Sequence, residues 1–219
     1  MIRVFGALVR RDLALATRVG GAAGLSLVFF LMVVTLIPFG LGPDLNLLAR
    51  IGPAILWIAG VLATLIGLDR LFQADEEDGS LDLMRLSPAP FEVVVLAKAT
   101  AHWLATGLPL ALFAPLFGLL VALEPAALAR TALSLLIGTP ALTFAGAIGA
   151  ALAASIRRGG LVIAILVVPL MVPTLIFGVA AADPTNPGSF QAIHILAALT
   201  LASAAIGCLG AAAALRGSD

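Results

Sequence analysis

The residues of this chain that could carry out chemistry are few, and most lack the partners that such chemistry needs. His102 and His194 could bind a metal or haem, or join a Ser/His/Asp triad, but the span plan below puts them near opposite faces of a membrane. Cys208 is the only cysteine, so it has no CxxC partner for metal or redox work. The four consecutive acids Asp75–Asp78 interrupt an apolar chain, and no H-E-x-x-H or Walker A motif, G-x-x-x-x-G-K-[ST], is present. We therefore expect no enzymatic site, no metal site and no ATP hydrolysis by this chain.

The composition of the chain indicates an integral membrane protein. Of its 219 residues, 62% are hydrophobic and 11% charged, whereas soluble domains are about half apolar and a quarter charged. The mean hydropathy is +1.16. The formal net charge is zero, so the chain has no basic footprint for nucleic acid.

Six apolar segments are long enough to cross the roughly 30 Å hydrocarbon core of a bilayer. The predicted spans cover about residues 20–41, 53–70, 99–122, 131–155, 161–181 and 190–214, with polar or proline- and glycine-containing breaks between them. No internal repeat or linker is visible, so we expect one all-α membrane domain over residues 1–219.

The distribution of basic residues predicts that both termini are cytoplasmic. With six spans, ten of the twelve Lys and Arg residues fall on the side of the termini, and Arg50 and Arg130 fall on the other. This orientation also places the acidic loop between the second and third spans in the cytoplasm. The expected location is the bacterial inner membrane.

The N-terminal residues 2–18 are predicted to form an amphipathic helix that lies on the membrane surface. Its arginines share one face of a helical wheel and would contact anionic headgroups: Arg3, Arg10, Arg11 and Arg18. Asp12 projects from the apolar face, where an unpaired carboxylate is costly. Either it has a protein partner, or it lies at the polar edge of the helix among headgroups.

The cytoplasmic loop is predicted to contain a short coupling helix. Gly79 can end the preceding helix, Ser80 is a candidate N-cap for the segment LDLMRL, and Pro88 ends that segment. So short a helix is unstable alone in water and must pack, either on its own bundle or in a groove of a soluble partner. The residues predicted for this docking site are Phe72, Asp75, Glu76, Glu77, Asp78, Gly79, Ser80, Leu81, Leu83, Met84 and Leu86.

His102 and His194 stay as isolated candidates. His102 follows Lys98 by one helical turn and precedes Trp103, a residue type common at membrane interfaces. A hydrogen-bonded interfacial histidine or a haem or metal ligand would both fit this position.

Four segments of the chain carry a resemblance to a known family: "TLIPFGLGPDLNLLARIGPAILWIAGVLATLIGLDRLFQADEEDGSLDLMRLSPAP", "VVLAKATAHWLATGLPL", "LIGTPALTFAGAIGAAL" and "RRGGLVIAILVVPLMVPTLIFGVAA". Over about residues 1–215 the chain resembles the CcmB family, the haem exporter protein B of cytochrome c maturation, although residues 182–219 match less distinctly. The family's cytoplasmic F-x-x-D falls on Phe72 and Asp75, and its D-G-S-L begins at Asp78.

The resemblance implies a six-helix permease subunit of an ABC-type complex, without an ATPase of its own. It implies pairing with a soluble CcmA-like ATPase that binds the ATP, a second copy of the chain, CcmC-like and CcmD-like membrane subunits, and a CcmE-like haem chaperone. Haem is implied as cargo of the complex, with no cofactor assigned to this chain itself. Coupling would drive haem delivery or release of the haem-loaded chaperone.

Two other functions fit the residues. One is an ABC-type exporter of another small molecule or lipid, which has the same architecture. The other is a passive membrane scaffold for the haem-delivery complex, in which the acidic loop only docks a partner.

Overall fold

A computed structural model describes residues 1–17, 22–68, 70–87, 89–154 and 159–216, and in this part of the chain all regular structure is helical. The helices are α1 (Ile2–Ala16), α2 (Ala22–Leu41), α3 (Leu45–Leu65), α4 (Arg70–Glu77), α5 (Ser80–Arg85), α6 (Phe91–Ala105), α7 (Gly107–Gly118), α8 (Pro125–Ala153), α9 (Gly159–Ala182) and α10 (Ser189–Arg216). A 3-10 turn, Leu119–Val121, extends α7. The predictions for Arg18, Pro88, Arg157 and Arg158 lie outside the described residues.

The prediction of six membrane-spanning segments is confirmed by length and composition. Among the described residues, six helical stretches are long and apolar enough to cross a membrane. Two of them are interrupted: α3 and α4 form one stretch, and α6, α7 and the 3-10 turn form another.

The helix α3 begins before the predicted second span, about residues 53–70, and ends within it. The helix α3 begins at Leu45 because the side chain of Asp44 caps it, accepting a hydrogen bond from the Leu47 N–H at 3.0 Å. It ends at Leu65 because Ile66 has an extended backbone and Gly67 has a positive φ of 83°.

The helical stretch that contains most of the predicted third span, about residues 99–122, begins at Phe91 and is broken in the middle. The helix α6 starts at Phe91, directly after Pro90, and stops at Ala105. Pro109 has no N–H to donate to the carbonyl of Ala105, so the helical hydrogen-bond series is interrupted there and restarts as α7. Similarly, α8 starts at Pro125, where a missing N–H costs nothing.

The helix α8 is the centre of the bundle. It packs against α3, α4, α6, α7, α9 and α10. Trp57 of α3 is fully buried against it and donates a hydrogen bond from Nε1 to Ser134 Oγ at 2.9 Å. Glycines face this indole from two helices, Gly138 of α8 and Gly178 of α9, where an added Cβ would come within 2.5 and 2.2 Å of Trp57 atoms. The small residues therefore let three helices close around one large side chain.

Several elements meet at one end of the bundle. Arg11 of α1 contacts Asp75 of α4, and Arg85 of α5 donates a hydrogen bond to the Leu215 carbonyl of α10 at 2.8 Å. The N-terminal helix, the α4–α5 segment and the end of α10 are therefore neighbours. This agrees with the predicted spans, because two spans separate α1 from the α4–α5 segment and four separate that segment from the end of α10.

Candidate functional site

The segment α4–α5 with its C-cap residue Leu86 is a bent pair of short helices, which we call the elbow (residues 70–86). The bend is at Gly79, whose φ of 73° is a backbone conformation that glycine adopts without steric cost. Asp78 Oδ1 accepts the backbone N–H of Ser80 at 2.8 Å and so satisfies one free donor at the start of α5. The prediction that Ser80 is the N-cap was wrong: Gly79 holds that position, and the Ser80 hydroxyl donates instead to Asp75 Oδ1 at 2.8 Å.

The outer face of the elbow combines exposed leucines with acids. Leu83 is 72% exposed and Leu86 is 84% exposed. Glu77, Asp78 and the side chain of Asp82 are exposed beside them, and Glu76 is partly exposed. This face is an apolar patch with an acidic rim.

The inner face of the elbow packs on its own bundle. Leu81 is fully buried in the core, and Met84 is partly buried against the same cluster. Arg85 donates to Asp82 Oδ1 at 2.8 Å as well as to the Leu215 carbonyl, so it links α5 to the end of α10. One face of α5 therefore packs on its own bundle, as the first alternative predicted. The opposite face is exposed in this chain and is the face that a groove of a soluble partner could cover.

Three residues predicted for the docking site are inaccessible to a partner in this structure. Phe72 and Leu81 have no exposed surface, and Asp75 is 2% exposed. The helix α4 is amphipathic, and Phe72 and Asp75 lie on its buried face, which meets α6 and α8. Leu81 belongs to α5 and is buried in the same core, so all three residues support the elbow from inside. Their assignment to an exposed docking surface is corrected accordingly.

Asp75 is the centre of a buried ionic cluster that comprises Arg11, Asp12, Asp75 and Lys98. Its carboxylate accepts hydrogen bonds from Arg11 of α1, Lys98 of α6 and Ser80 of α5. Lys98 is 5% exposed, and its Nζ also lies 3.0 Å from Asp12 Oδ2. Two cations and two anions thus meet, with Asp75 and Lys98 buried and Arg11 about one-third exposed at the edge. The charges of the buried part are balanced, as a buried ionic site requires.

The cluster gives Asp12 a protein partner and directs the side chain of Arg11 toward the protein. Asp12 finds its partner within the chain, because α1 packs along α6. Arg11, predicted to face headgroups, is held by Asp75 and lies 3.8 Å from Asp12. Arg3 and Arg10 are exposed, as a role at a membrane surface would need.

Lys98 is the site residue that the sequence reasoning missed. It is the only lysine of the chain, and it lies in the middle of an apolar helix, α6. An ionisable residue in such a helix usually has a partner inside the protein. The position of Lys98 in the sequence therefore already indicated that it has an ionic partner. Lys98 Nζ also lies 5.9 Å from the centre of the Phe72 ring, within the range of a cation–π contact.

Neighbouring charges and hydrogen bonds shift the pKa values of Arg11 and Asp78. Burial lowers the pKa of the Arg11 guanidinium, but hydrogen bonding and attraction from Asp75 outweigh burial and raise that pKa above its ordinary value. Hydrogen bonding from the side chain and backbone N–H of Ser80 lowers the pKa of Asp78. Both groups are therefore charged at neutral pH.

A cavity of about 360 Å³ adjoins the cluster between α1, α4 and α6. Its lining is both charged and apolar: Arg11, Asp12, Leu15, Ala16, Gly67, Arg70, Leu71, Ala74, Asp75, Asp78, Lys98 and His102. His102 lies 3.3 Å from the Thr106 hydroxyl through Nδ1, whereas the exposed His194 contacts the Phe190 carbonyl at 2.8 Å. Among the described residues, no three His, Cys, Asp or Glu side chains are grouped to hold a metal ion.

Comparison with known proteins identifies similar chains of matching length. The family model described as "CcmB protein" matches residues 3–218. The chain is 57% identical to "Heme exporter protein B" of Bradyrhizobium diazoefficiens, with 96% of each chain covered. It is 55% identical to the protein of the same name from Paracoccus denitrificans, over 96% of this chain and 97% of the relative. For Escherichia coli K12 the identity is 43%, over 97% and 98%.

Proposed function

Since this chain belongs to the CcmB family, we propose that it is the membrane subunit of a haem exporter whose elbow receives the movement of a separate ATPase subunit. The relatives carry the name heme exporter protein B, and six apolar helical stretches fit a multi-pass membrane subunit. The sequence contains no Walker A motif, so the energy source in this proposal is a CcmA-like partner.

The observation that carries the coupling proposal is the two-sided character of α5. Leu83 and Leu86 are exposed, and burying a leucine side chain contributes about 1.5–3 kcal/mol. A soluble partner with an apolar groove and a basic edge would gain this energy and attract the acidic rim. Because Leu81 and Arg85 fix the other face to the bundle, force applied to α5 reaches the spans.

The complex we propose contains two copies of this chain and two ATPase subunits in the bacterial inner membrane. The termini and the elbow face the cytoplasm, in agreement with the distribution of Lys and Arg. CcmC-like and CcmD-like subunits and a CcmE-like haem chaperone complete it. The coupled output is haem delivery or release of the haem-loaded chaperone, which vesicles assayed with and without the chaperone would separate.

The test is to charge the exposed leucines of α5. Leu83→Asp/Leu86→Asp should reduce co-purification of the ATPase subunit at least tenfold and abolish haem delivery, since a buried unpaired carboxylate is costly. The control is Leu45→Asp, which charges an equally exposed leucine at the start of α3. Normal ATPase binding and haem delivery by the double variant would overturn the coupling proposal.

A second measurement separates coupling from a passive scaffold. A partner that binds ATP but cannot hydrolyse it should fail to support cytochrome c maturation. Full maturation with that partner would indicate a scaffold.

A further inference from the structure

The ionic cluster connects four helices through one lysine and one aspartate. Asp75 of α4 accepts hydrogen bonds from Ser80 of α5 and from Arg11 of α1, and Lys98 of α6 joins Asp75 to Asp12 of α1. The elbow and the N-terminal helix therefore share charged partners although they are far apart in sequence.

The helix α1 lies on the outside of the bundle, where it packs along α6 and its Leu8 contacts the core. None of its residues is buried, and its main packing partner is α6. Separating one member of a buried ion pair from the other leaves an uncompensated charge, which strongly disfavours the separated state. Asp12 and Arg11 of α1 are bound to Lys98 and Asp75. A displacement of α4 that preserves these contacts must therefore move α1 as well.

We propose that Asp75 and Lys98 are positioning residues that make α1 move together with the elbow when the ATPase partner acts on α5. The inference rests on the proposed function, because it needs a partner that moves the elbow. It extends the moving part of the protein to the N-terminal helix and its exposed arginines. Because α1 forms one wall of the 360 Å³ cavity, its displacement also changes access to that cavity.

The experiment measures the movement of α1 and α4 separately in the complete complex. Spin labels are placed in a Cys208→Ala background, in one copy of the chain, with a common reference at the exposed Ala126 of α8. The pair Ala14→Cys/Ala126→Cys reports on α1, and the pair Gln73→Cys/Ala126→Cys reports on α4. Distances are compared between nucleotide-free and nucleotide-trapped complexes in nanodiscs.

In the otherwise unmodified chain, nucleotide should shift both distance distributions. In Asp75→Asn/Lys98→Met, which removes one charge of each sign, the α4 shift should persist and the α1 shift should be lost. Haem delivery should fall at least tenfold while the ATPase subunit stays bound, a combination that a loss of folding would not give. Lys98→Arg keeps the positive charge and should retain the α1 shift.

A matched control breaks an ion pair elsewhere. Glu92→Gln/Arg216→Gln removes the 2.8 Å contact between α6 and the end of α10 and should leave both shifts intact. An α1 shift that persists in Asp75→Asn/Lys98→Met would overturn the positioning role. Absence of an α4 shift in the chain with Asp75 and Lys98 intact would instead contradict the proposed function.

Discussion

The Lys98 ammonium lies 3.0 Å from the carboxylate of Asp12, a residue 86 positions earlier in the chain. The same ammonium contacts Asp75. One side chain of α6 thus neutralises an acid of the N-terminal helix and an acid of the elbow. This arrangement gives the first prediction.

Lys98→Met should destabilise the protein by about 3–5 kcal/mol, because it leaves the carboxylates of Asp12 and Asp75 with Arg11 as their one remaining cation. Adding Asp75→Asn should restore most of the loss, since Arg11 still lies 3.8 Å from the remaining acid, Asp12. Thermal unfolding of the purified variants in one detergent measures both effects. The double-mutant cycle should give a coupling energy within the 0.5–3 kcal/mol range seen for residues in contact.

The surface pair of Glu92 and Arg216 is the control for that cycle. Arg216 is about half exposed, so its removal together with Glu92 should cost at most about 1 kcal/mol. Equal losses for Lys98→Met and for Lys98→Met/Asp75→Asn would mean that Lys98 acts through packing rather than charge.

The second prediction concerns the glycine that faces Trp57. Gly178→Ala should destabilise the protein by about 1–3 kcal/mol, because its Cβ would lie 2.2 Å from the indole and force the helices apart. Gly24→Ala is the control, since a Cβ there meets nothing within 4 Å. Thermal unfolding measures both variants.

A smaller side chain at position 57 should suppress the Gly178→Ala defect. Trp57→Leu alone is destabilising, as it empties part of the core and removes the partner of Ser134. Combined with Gly178→Ala, its cost should be less than the sum of the two single changes. Additive losses would contradict a steric origin.

The third prediction is a pH dependence that arises from Asp78. Its pKa in the folded protein is below the ordinary value of 3.8, so its charged form stabilises the fold above that value. The contribution is lost as pH falls through the lowered pKa. The difference in Tm between the unmodified protein and Asp78→Asn should therefore be largest near neutral pH and shrink toward about pH 3.

Asparagine still offers an oxygen to the Ser80 N–H, so this comparison isolates the charge of Asp78. A constant difference in Tm between about pH 7 and about pH 3 would contradict the assignment.

The sequence by itself determined the class of the protein, the number of spans and the position of the elbow. These features depend on local quantities: about 20 apolar residues cross a bilayer, and Gly79 permits a bend that other residues resist. The ends of the helices were not determined in this way, because the side-chain cap from Asp44 and the break before Pro109 depend on single hydrogen bonds.

Only the tertiary structure decided which acids face outward and which are buried. In the sequence, Asp75 is one of four consecutive acids, and nothing in its type separates it from Glu77 or Asp78. The packing of α4 against α6 and α8 buries Asp75 and brings it to Lys98, whereas its neighbours stay exposed. Charge pairing depends on distance in space, and helix periodicity gives the face of a residue but not the helix that will cover it.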